Sequence, residues 1–328
     1  MTRQDEAHAL TDKELEALEM RIAKVYKEAL DDVKDTIQAY FEHFRKRDEA
    51  MKKRLDAGEI TEEYYKQWRL NQIGRGRRFE DLRDKLAERF TDAYETAVAY
   101  VNDKTPGIYS LNRNYAAYTI ERAVGDVGFT LWDEQTVRRL IVEEPDVMPY
   151  YPPKRAVQRG FDLAYGKSQI TKNVTSSILQ GLSIGQMADS LQTRVVTMSR
   201  VSAVRAARTA VTAAENAGRM DSYHAAEKMG IKMRKRWLST LDGRTRHSHA
   251  IIDGETRQID KIFSNGCKFP GDPNGKPEET YNCRCTLIAD LIEVPKDDSL
   301  RRDEGGVISD MTFSQWENTK RGERGLQR

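Results

Sequence analysis

The residues best able to do chemistry are gathered near the C-terminal end of the chain. Two of its five histidines, His247 and His249, lie in the stretch DGRTRHSHAIIDGE, and all three cysteines (Cys267, Cys283 and Cys285) fall within the same forty or so residues. Imidazole and thiolate groups bind zinc and related metals, and thiolates also act as nucleophiles or pair as disulfides. The spacing therefore predicts a metal site, a reactive thiol centre or a structural segment that is cross-linked by disulfide bonds.

A structural zinc ion needs four ligands in a tetrahedron. We predict His249, Cys267, Cys283 and Cys285 as that set, binding one zinc ion. His247 is an alternative to His249, because residues two apart in an extended segment face the same side. The spacing differs from that of a standard zinc finger, in which the cysteines come as Cys-x2-Cys pairs. The alternative is that Cys267 is an isolated thiol and the histidines are ordinary polar residues.

A catalytic interpretation of the same region has less support. His247, His249, Asp253 and Asn282 could form a metal-dependent nuclease centre or an acid–base pair. However, no two acidic residues are spaced so as to compel a two-metal site, and the chain has no Gly-rich phosphate loop, nucleophile elbow or dinucleotide fingerprint. We therefore predict no catalytic residues and no cofactor-binding residues, and we expect that the protein is not an enzyme.

The composition predicts long helices and no membrane segment. Hydrophobic residues make up 38% and charged residues 32% of the 328 residues, with a mean hydropathy of −0.74. Such values are typical of long helices with narrow apolar stripes. The chain has no run of about 18 apolar residues, and its N-terminus has no apolar signal core. We expect no membrane partner, and folding in a reducing, cytosolic environment with free thiols.

Positive charge is concentrated in the middle of the chain. Residues 151–236 hold 15 Lys and Arg against 5 Asp and Glu, whereas residues 1–150 hold 25 against 31. A local basic block favours an acidic partner, and nucleic acid is the commonest one. The sequence therefore predicts non-specific binding to double-stranded DNA.

Capping patterns mark the ends of several helices. Thr11 with Glu14 fits a capping box, Gly181 ends a helix, and Ser183 with Gln186 starts the next. Between Thr11 and Gly58 an apolar stripe recurs at spacings of three and four, at Leu15, Leu18, Ile22, Val25, Ala29, Val33, Ile37, Tyr40 and Phe44. This stripe predicts a long amphipathic helix. It forms either the core of an ordinary bundle or a surface that docks onto a partner.

These patterns predict a mainly α fold with a small α+β module near the C-terminus. We expect a helical hairpin over 1–103, an irregular connector over 104–153, and a helical basic region over 154–230. A loop-rich α+β module with the His and Cys residues covers 231–295, and its first strand is predicted from the alternation of Ile231, Met233 and Trp237. A polar tail over 296–328 is expected to be flexible or ordered only on a partner.

The run KRWLSTLDGRTRHSHAIIDGE, followed by FPGDPNG and NCRC, resembles the C-terminal signature of the phage head morphogenesis family, the Mu F-like minor head proteins of tailed bacteriophages. The resemblance covers roughly residues 170–290. In many relatives a Cys-x-x-Cys stands where this chain has Arg246 and His249. The matching residues are Trp237, Asp242, Arg244, Thr245, His249, Asp253, Gly254, Pro270, Gly271, Asp272, Asn282, Cys283, Arg284 and Cys285.

The resemblance implies a minor head protein that joins procapsid assembly at the portal vertex. Its implied partners are the portal protein, scaffolding or major capsid protein, and the packaged DNA end that it binds or delivers. Its implied location is the virion, in the head interior or at the portal vertex, and the host cytoplasm during assembly. The rival function is a virion-carried nuclease or toxin-like effector. For the cysteines, a Cys267–Cys283 disulfide formed after the virion leaves the cell is a further alternative to zinc and to packing.

Overall fold

The structure is a computed structural model that describes residues 5–143, 163–292, 302–303, 306–307 and 311–326. Helices dominate this part of the chain, which confirms the predicted mainly α class. No helix among these residues has the length and apolar character that crossing a membrane requires. The helices are α1 (Glu6–Asp56), α2 (Glu62–Gln72), α3 (Arg77–Val124), α4 (Glu134–Glu143), α5 (Leu163–Leu179), α6 (Ile184–Lys228), α7 (His247–Ile251), α8 (Pro277–Thr280) and α9 (Phe313–Leu326).

A small antiparallel sheet lies near the C-terminus, as predicted. Its strands β1 (Met233–Leu238), β2 (Thr256–Arg257) and β3 (Thr286–Leu291) are ordered β2-β1-β3. A separate two-stranded ladder joins β4 (Arg302–Asp303) and β5 (Gly306–Val307). The predicted alternation of β1 is present, but its buried face also includes the charged side chain of Lys235. The ammonium group of Lys235 donates to the backbone oxygens of Ile259 (2.6 Å) and Lys268 (2.7 Å), which makes its burial tolerable.

The chain forms two compact units. Unit 1 consists of Met1–Ala17, Val101–Tyr151 and Arg205–Arg328, and unit 2 of Leu18–Tyr100 and Pro152–Val204. The predicted division has five consecutive segments, whereas each of these units draws on separate stretches of chain. The physical reason is that α1, α3 and α6 each contribute one part to unit 1 and the other part to unit 2. Local spacing carries no information about such sharing.

The second half of the predicted hairpin is two helices rather than one. The helical run is interrupted between α2 and α3, where Gly76 adopts a positive φ of 88°. Conversely, α3 continues through Pro106, where the sequence predicts an irregular connector. A proline in a helix interior costs a hydrogen bond. Here Ile108 and Tyr109 directly after it are almost fully buried, so packing outweighs that cost. The end of the predicted connector, residues 144–153, lies outside the described residues.

The apolar stripe of α1 belongs to the protein's own interior. Eight of its nine predicted positions are buried, and the ninth, Tyr40, is half-buried with its hydroxyl donating to the backbone oxygen of Ile73 at 2.5 Å. A stripe that the chain itself covers is not available to a partner. The structure therefore favours the bundle-core interpretation of this helix over the docking interpretation.

The end of the polar tail is ordered, contrary to the expectation that it is flexible or needs a partner. In α9 the rings of Phe313 and Trp316 are buried and pack against Tyr118, at centroid distances of 5.6 and 6.2 Å. The indole nitrogen of Trp316 donates to Glu121 at 2.6 Å. The apolar positions in this tail are thus anchors onto α3 within unit 1.

Candidate metal centre

Helix α6 holds the NCRC segment in place through its side chains. The hydroxyl of Thr212 donates to the backbone oxygen of Cys283 at 2.6 Å, and the amide of Asn216 donates to that of Cys285 at 3.2 Å. The amide oxygen of Asn216 in turn accepts from the backbone N–H of Leu287 at 2.8 Å. A loop that forms little secondary structure of its own is thereby fixed against a rigid helix.

The backbone just before the two thiols takes an unusual turn. Asn282 has a φ of 55°, in the left-handed region that asparagine tolerates better than most residues. After it, Cys283 and Cys285 are 1% and 3% exposed, while Arg284 between them reaches the surface and pairs with Asp242. Side chains that alternate along an extended segment give this arrangement. The Cys-x-Cys spacing thus places both thiols on the buried side.

His249 is carried by the short helix α7. Its backbone oxygen accepts from the hydroxyl of Ser239 at 2.7 Å, and its ring stacks edge-on against Trp237 at 5.2 Å. The indole nitrogen of Trp237 donates to the same Ser239 hydroxyl at 3.1 Å. The imidazole is therefore oriented by the first strand of the sheet, and it is 2% exposed.

The imidazole and the two thiols meet with the geometry of metal ligands. Nδ1 of His249 lies 3.3 Å from Sγ of Cys285 and 3.8 Å from Sγ of Cys283, and the three atoms lie within 4.8 Å of one another. A tetrahedral zinc ion with ordinary bond lengths separates a nitrogen and a sulfur ligand by about 3.6 Å. We call these three residues the His–Cys cluster. They fit a zinc ion with three protein ligands.

A carboxylate lies beside the imidazole nitrogen that does not contact the two thiols. Oε2 of Glu279 lies 3.1 Å from Nε2 of His249, and the same atom accepts from the hydroxyl of Ser248 at 3.0 Å. The contact with Nε2 lacks hydrogen-bond geometry, so that buried nitrogen has no hydrogen-bond partner among the described residues. A carboxylate at the outer nitrogen of a metal-binding histidine orients the ring and raises its basicity. Sequence reasoning missed Glu279, which no spacing rule links to His249.

The pKa values of the two thiols are shifted in opposite directions. A hydrogen bond from Cys283, reinforced by His249, lowers the pKa of Cys285 to about 4 despite its burial. The same hydrogen bond, together with burial, raises the pKa of Cys283 well above its ordinary value. The proton is thus held more tightly by Cys283 than by Cys285. Close packing without a metal accounts for the arrangement of these side chains as well as a bound zinc ion does.

Cys267, the predicted fourth ligand, lies outside the His–Cys cluster. A tight turn, in which the backbone N–H of Phe263 donates to the oxygen of Cys267 at 2.9 Å, directs its thiol toward Gly275. Burial raises the pKa of this thiol to about 12. The alternative ligand His247 is exposed at the start of α7. The structure brings together three of the four predicted ligands, and all three thiols are free.

The predicted nuclease centre is not assembled around these residues. A carboxylate oxygen of Asp253 accepts from the backbone N–H of Ser239 at 2.8 Å, which is a structural role in the turn between β1 and β2. His249 and Asn282 line one cavity, but Asp253 and His247 do not take part in lining it.

That cavity is positively charged. It has a volume of about 250 Å³ and lies directly over the His–Cys cluster. Its other walls carry two threonines, Asn282 and four arginines, and we call it the arginine cavity. The arginines are Arg208, Arg244, Arg246 and Arg284.

Comparisons with known proteins agree with the signature found in the sequence. Residues 168–288 match a family model described as Phage Mu protein F like protein. The chain is 27% identical to Minor head protein GP7 of Bacillus phage SPP1 in an alignment of 329 positions that covers 97% of each chain. It is 25% identical over 209 residues to NAD(+)--arginine ADP-ribosyltransferase EFV of Enterococcus faecalis, covering 61% of this chain and 43% of that protein. No solved structure gives a significant match.

Proposed function

Because the chain belongs to the Mu F-like family of phage minor head proteins, we propose that it works at the portal vertex during procapsid assembly. Membership in the family makes the protein a virion component with a role in head morphogenesis. The portal vertex, and a position inside the head, are the finer proposals. The observation that carries them is the similarity to an SPP1 minor head protein along 97% of both chains.

Copurification tests the proposed location. Procapsids are isolated from cells that express the phage head genes, with and without the gene for this chain, and are dissociated in steps. We expect the protein to remain with the portal protein after scaffolding and major capsid protein have been released. Recovery with the shell in portal-free particles at the same yield would contradict a portal location and would favour major capsid protein as the partner.

We also propose that the protein binds double-stranded DNA without sequence preference. The basic block supports this, although several of its charges are used inside the protein: Lys167 pairs with Asp84, and Arg219 with Asp5. Exposed basic side chains remain on α6, and these are the ones that a phosphate backbone can reach. The arginines among them are Arg194, Arg200 and Arg205.

The proposed cofactor is one zinc ion held by the His–Cys cluster. The ligand distances, and the carboxylate of Glu279 at the outer nitrogen of His249, support this choice. Bound there, zinc would cross-link α7 to the NCRC segment. A module with few strands and many loops gains stability from such a link, because its own core is small.

We propose that the protein is not an enzyme. The match to an ADP-ribosyltransferase spans 43% of that protein, so more than half of it has no counterpart in the alignment. An assay with labelled NAD and an arginine-rich acceptor tests the rival effector function, and incubation of plasmid DNA with Mg²⁺, Mn²⁺ or Zn²⁺ tests the nuclease. Label transfer or DNA cleavage that a His249→Ala substitution abolishes would contradict the proposal.

A further inference from the structure

We propose that the arginine cavity is a binding site for a single phosphate group. The cavity combines four guanidinium groups with hydroxyl and amide side chains in about 250 Å³. None of the residues that line it is a carboxylate. Guanidinium groups bind phosphate oxygens through paired, charge-assisted hydrogen bonds, so convergent arginines favour phosphate over other small ligands.

The arginines come from separate parts of the chain, and two of them are held in position by contacts of their guanidinium groups. Two parallel contacts of 2.5 and 2.6 Å fix the guanidinium of Arg284 on Asp242. Arg246 donates to the backbone oxygen of Tyr281. Arg208 projects from α6, on the helix that also anchors the NCRC segment. A site whose side chains are fixed before binding loses less entropy when the ligand arrives.

Arg244 supplies a charge that is not used elsewhere. Its side chain is exposed, and the described residues show neither a hydrogen bond nor an ion pair for its guanidinium. Its backbone N–H donates to Asp242 at 2.9 Å, which fixes the turn that carries it, and its side chain forms part of the cavity wall. An exposed arginine in the wall of a basic cavity is available to a bound anion.

The negative groups near the cavity are already engaged. Asp242 is paired with Arg284, and Glu279 lies at the outer nitrogen of His249. The sulfur of Cys285 lies 3.3 Å from Nδ1 of the same imidazole. The cavity volume is below the 300–1,000 Å³ usual for drug-sized ligands. It therefore suits a phosphate with part of an attached nucleoside and not a whole dinucleotide.

The phosphate could belong to a nucleic-acid end or to a free nucleotide, and the test separates the two sources. Full-length protein in buffer free of phosphate and sulfate is titrated calorimetrically with inorganic phosphate, AMP, and one oligonucleotide with and without its 5′ phosphate. Tighter binding of the 5′-phosphorylated oligonucleotide than of both AMP and the same oligonucleotide without its 5′ phosphate assigns the site to a chain end. Tighter binding of AMP than of either oligonucleotide assigns it to a free nucleotide, and both results support a phosphate site.

Matched variants test the cavity itself. We expect Arg244→Gln and Arg208→Gln each to weaken phosphate binding roughly tenfold, since each removes one charge-assisted contact. Arg234→Gln removes the same charge from an exposed position of β1 outside the cavity and should change the affinity less than twofold. Equal losses in Arg244→Gln and Arg234→Gln, or no saturable binding of any phosphate probe, would overturn the proposal. The titration is repeated after treatment with a metal chelator, and an unchanged affinity would show that phosphate binding does not depend on the proposed zinc.

Discussion

At the scale of single residues, the His–Cys cluster differs from a closed structural zinc site by one ligand. A closed site uses four protein ligands, whereas a site with three leaves one position for water or another group. The three side chains also line the arginine cavity, so a zinc ion held by them would lie beside that cavity. The fourth residue that the sequence predicts, Cys267, is directed elsewhere by its own turn.

The metal content of three purified proteins tests this arrangement. Untagged wild-type protein, prepared under reducing conditions, is expected to hold about one equivalent of zinc, and Cys285→Ala close to none. Cys267→Ala is the matched control, because it removes an equally buried thiol from outside the cluster and should keep the metal. Elemental analysis measures all three.

The alternatives to zinc predict other results. In the packing model the wild-type protein holds no metal and Cys285→Ala loses about 1–3 kcal/mol of stability. Loss of zinc in Cys267→Ala would restore Cys267 as a ligand. A disulfide between Cys267 and Cys283 would appear only in protein from mature particles, as a band whose mobility changes on reduction.

His8 is a second residue whose chemistry can be tested. Burial lowers the pKa of its imidazole, but the carboxylate of Glu215 at 2.8 Å outweighs that effect and raises the pKa to about 9. A pKa above the ordinary value of 6.5 means that the charged form stabilises the folded state. This stabilisation is complete below pH 6.5 and is lost as the pH rises through about 9.

Urea unfolding at several pH values measures the effect. Between pH 6 and pH 9.5 we expect wild-type protein to lose roughly 1–3 kcal/mol more stability than His8→Gln, which has no titrating group at this position. Parallel pH profiles for the two proteins would show that the pair with Glu215 contributes nothing. The substitution of Gln keeps a polar side chain of similar size beside Glu215.

Much of the site was predictable from residue types, and its support was not. Cys283, Cys285 and His249 stand out because few chains place these residues together at such spacings. Glu279 and Asn216 have no such signal, since acidic and amide side chains occur throughout the sequence. Their roles depend on where α6 and α8 pack, which local spacing does not encode. Cys267 was assigned as a ligand because distance along the chain says nothing about the direction of a turn.

At the scale of elements, α6 is the helix on which unit 1 depends. Its side chains hold the NCRC segment, and its Gly218 lies against α3 so closely that a Cβ atom would come within 2.4 Å of the backbone oxygen of Tyr109. The buried guanidinium of Arg219 on the same helix donates to Asn112 of α3 at 2.9 Å and to the backbone oxygen of Leu287 of β3, also at 2.9 Å. Small and polar residues on one helix thus join three elements.

Two glycines of α6 form a matched pair for testing this contact. Gly218→Ala is expected to destabilise the protein by about 1–3 kcal/mol, because the backbone of α3 must move to admit the methyl group. Gly185→Ala, in the same helix but with open space around its Cα, should be neutral or stabilising by about 0.5–1 kcal/mol. Thermal unfolding of both variants measures the difference. Equal effects would mean that the α3–α6 contact tolerates an extra carbon.

Local signals predicted one helix start correctly and another wrongly: α1 begins at Glu6, and Thr11, predicted to cap it, lies inside the helix with its hydroxyl donating to the backbone oxygen of Ala7 at 2.8 Å. The capping box of Ser183 and Gln186 is present, with both reciprocal hydrogen bonds at 2.8 and 3.3 Å.

The predicted helix interruption at Pro106 and the predicted flexibility of the tail were wrong. In both places the burial of an aromatic side chain, Tyr109 or Trp316, outweighs the local conformational preference. A rule based on neighbouring residues cannot include contacts between distant ones.

At the scale of the whole molecule, binding to duplex DNA should depend on salt. A protein that neutralises several phosphates releases counterions, so its affinity falls with a slope of about 0.9 logarithmic units per phosphate contact. Replacing three exposed arginines of α6 by glutamine should therefore reduce the slope by up to about 2.7 units. Fluorescence anisotropy with duplexes of two unrelated sequences measures it. The residues are Arg194, Arg200 and Arg205.

The matched control removes the same charge from another surface. Three exposed lysines of α1 are changed to glutamine, which should leave the slope nearly unchanged. A similar decrease of the slope in both triple variants would show that the net charge of the protein, and not the exposed arginines of α6, determines the salt dependence. The control residues are Lys13, Lys27 and Lys34.

Because unit 1 is built from three separate segments of the chain, its parts become able to fold at different times during synthesis. Asp5 in its first segment binds Arg219, which lies 214 residues further along the chain. A ribosome adds about 5–20 residues per second, so this carboxylate waits roughly 10–40 s for its partner. During that time residues 5–17 have no folded surface from the last segment to bind. We expect ribosome-bound chains that stop at residue 200 to lose their first residues to brief proteolysis, and released full-length chains to keep them. The beginning of this protein is therefore among the last parts to become native.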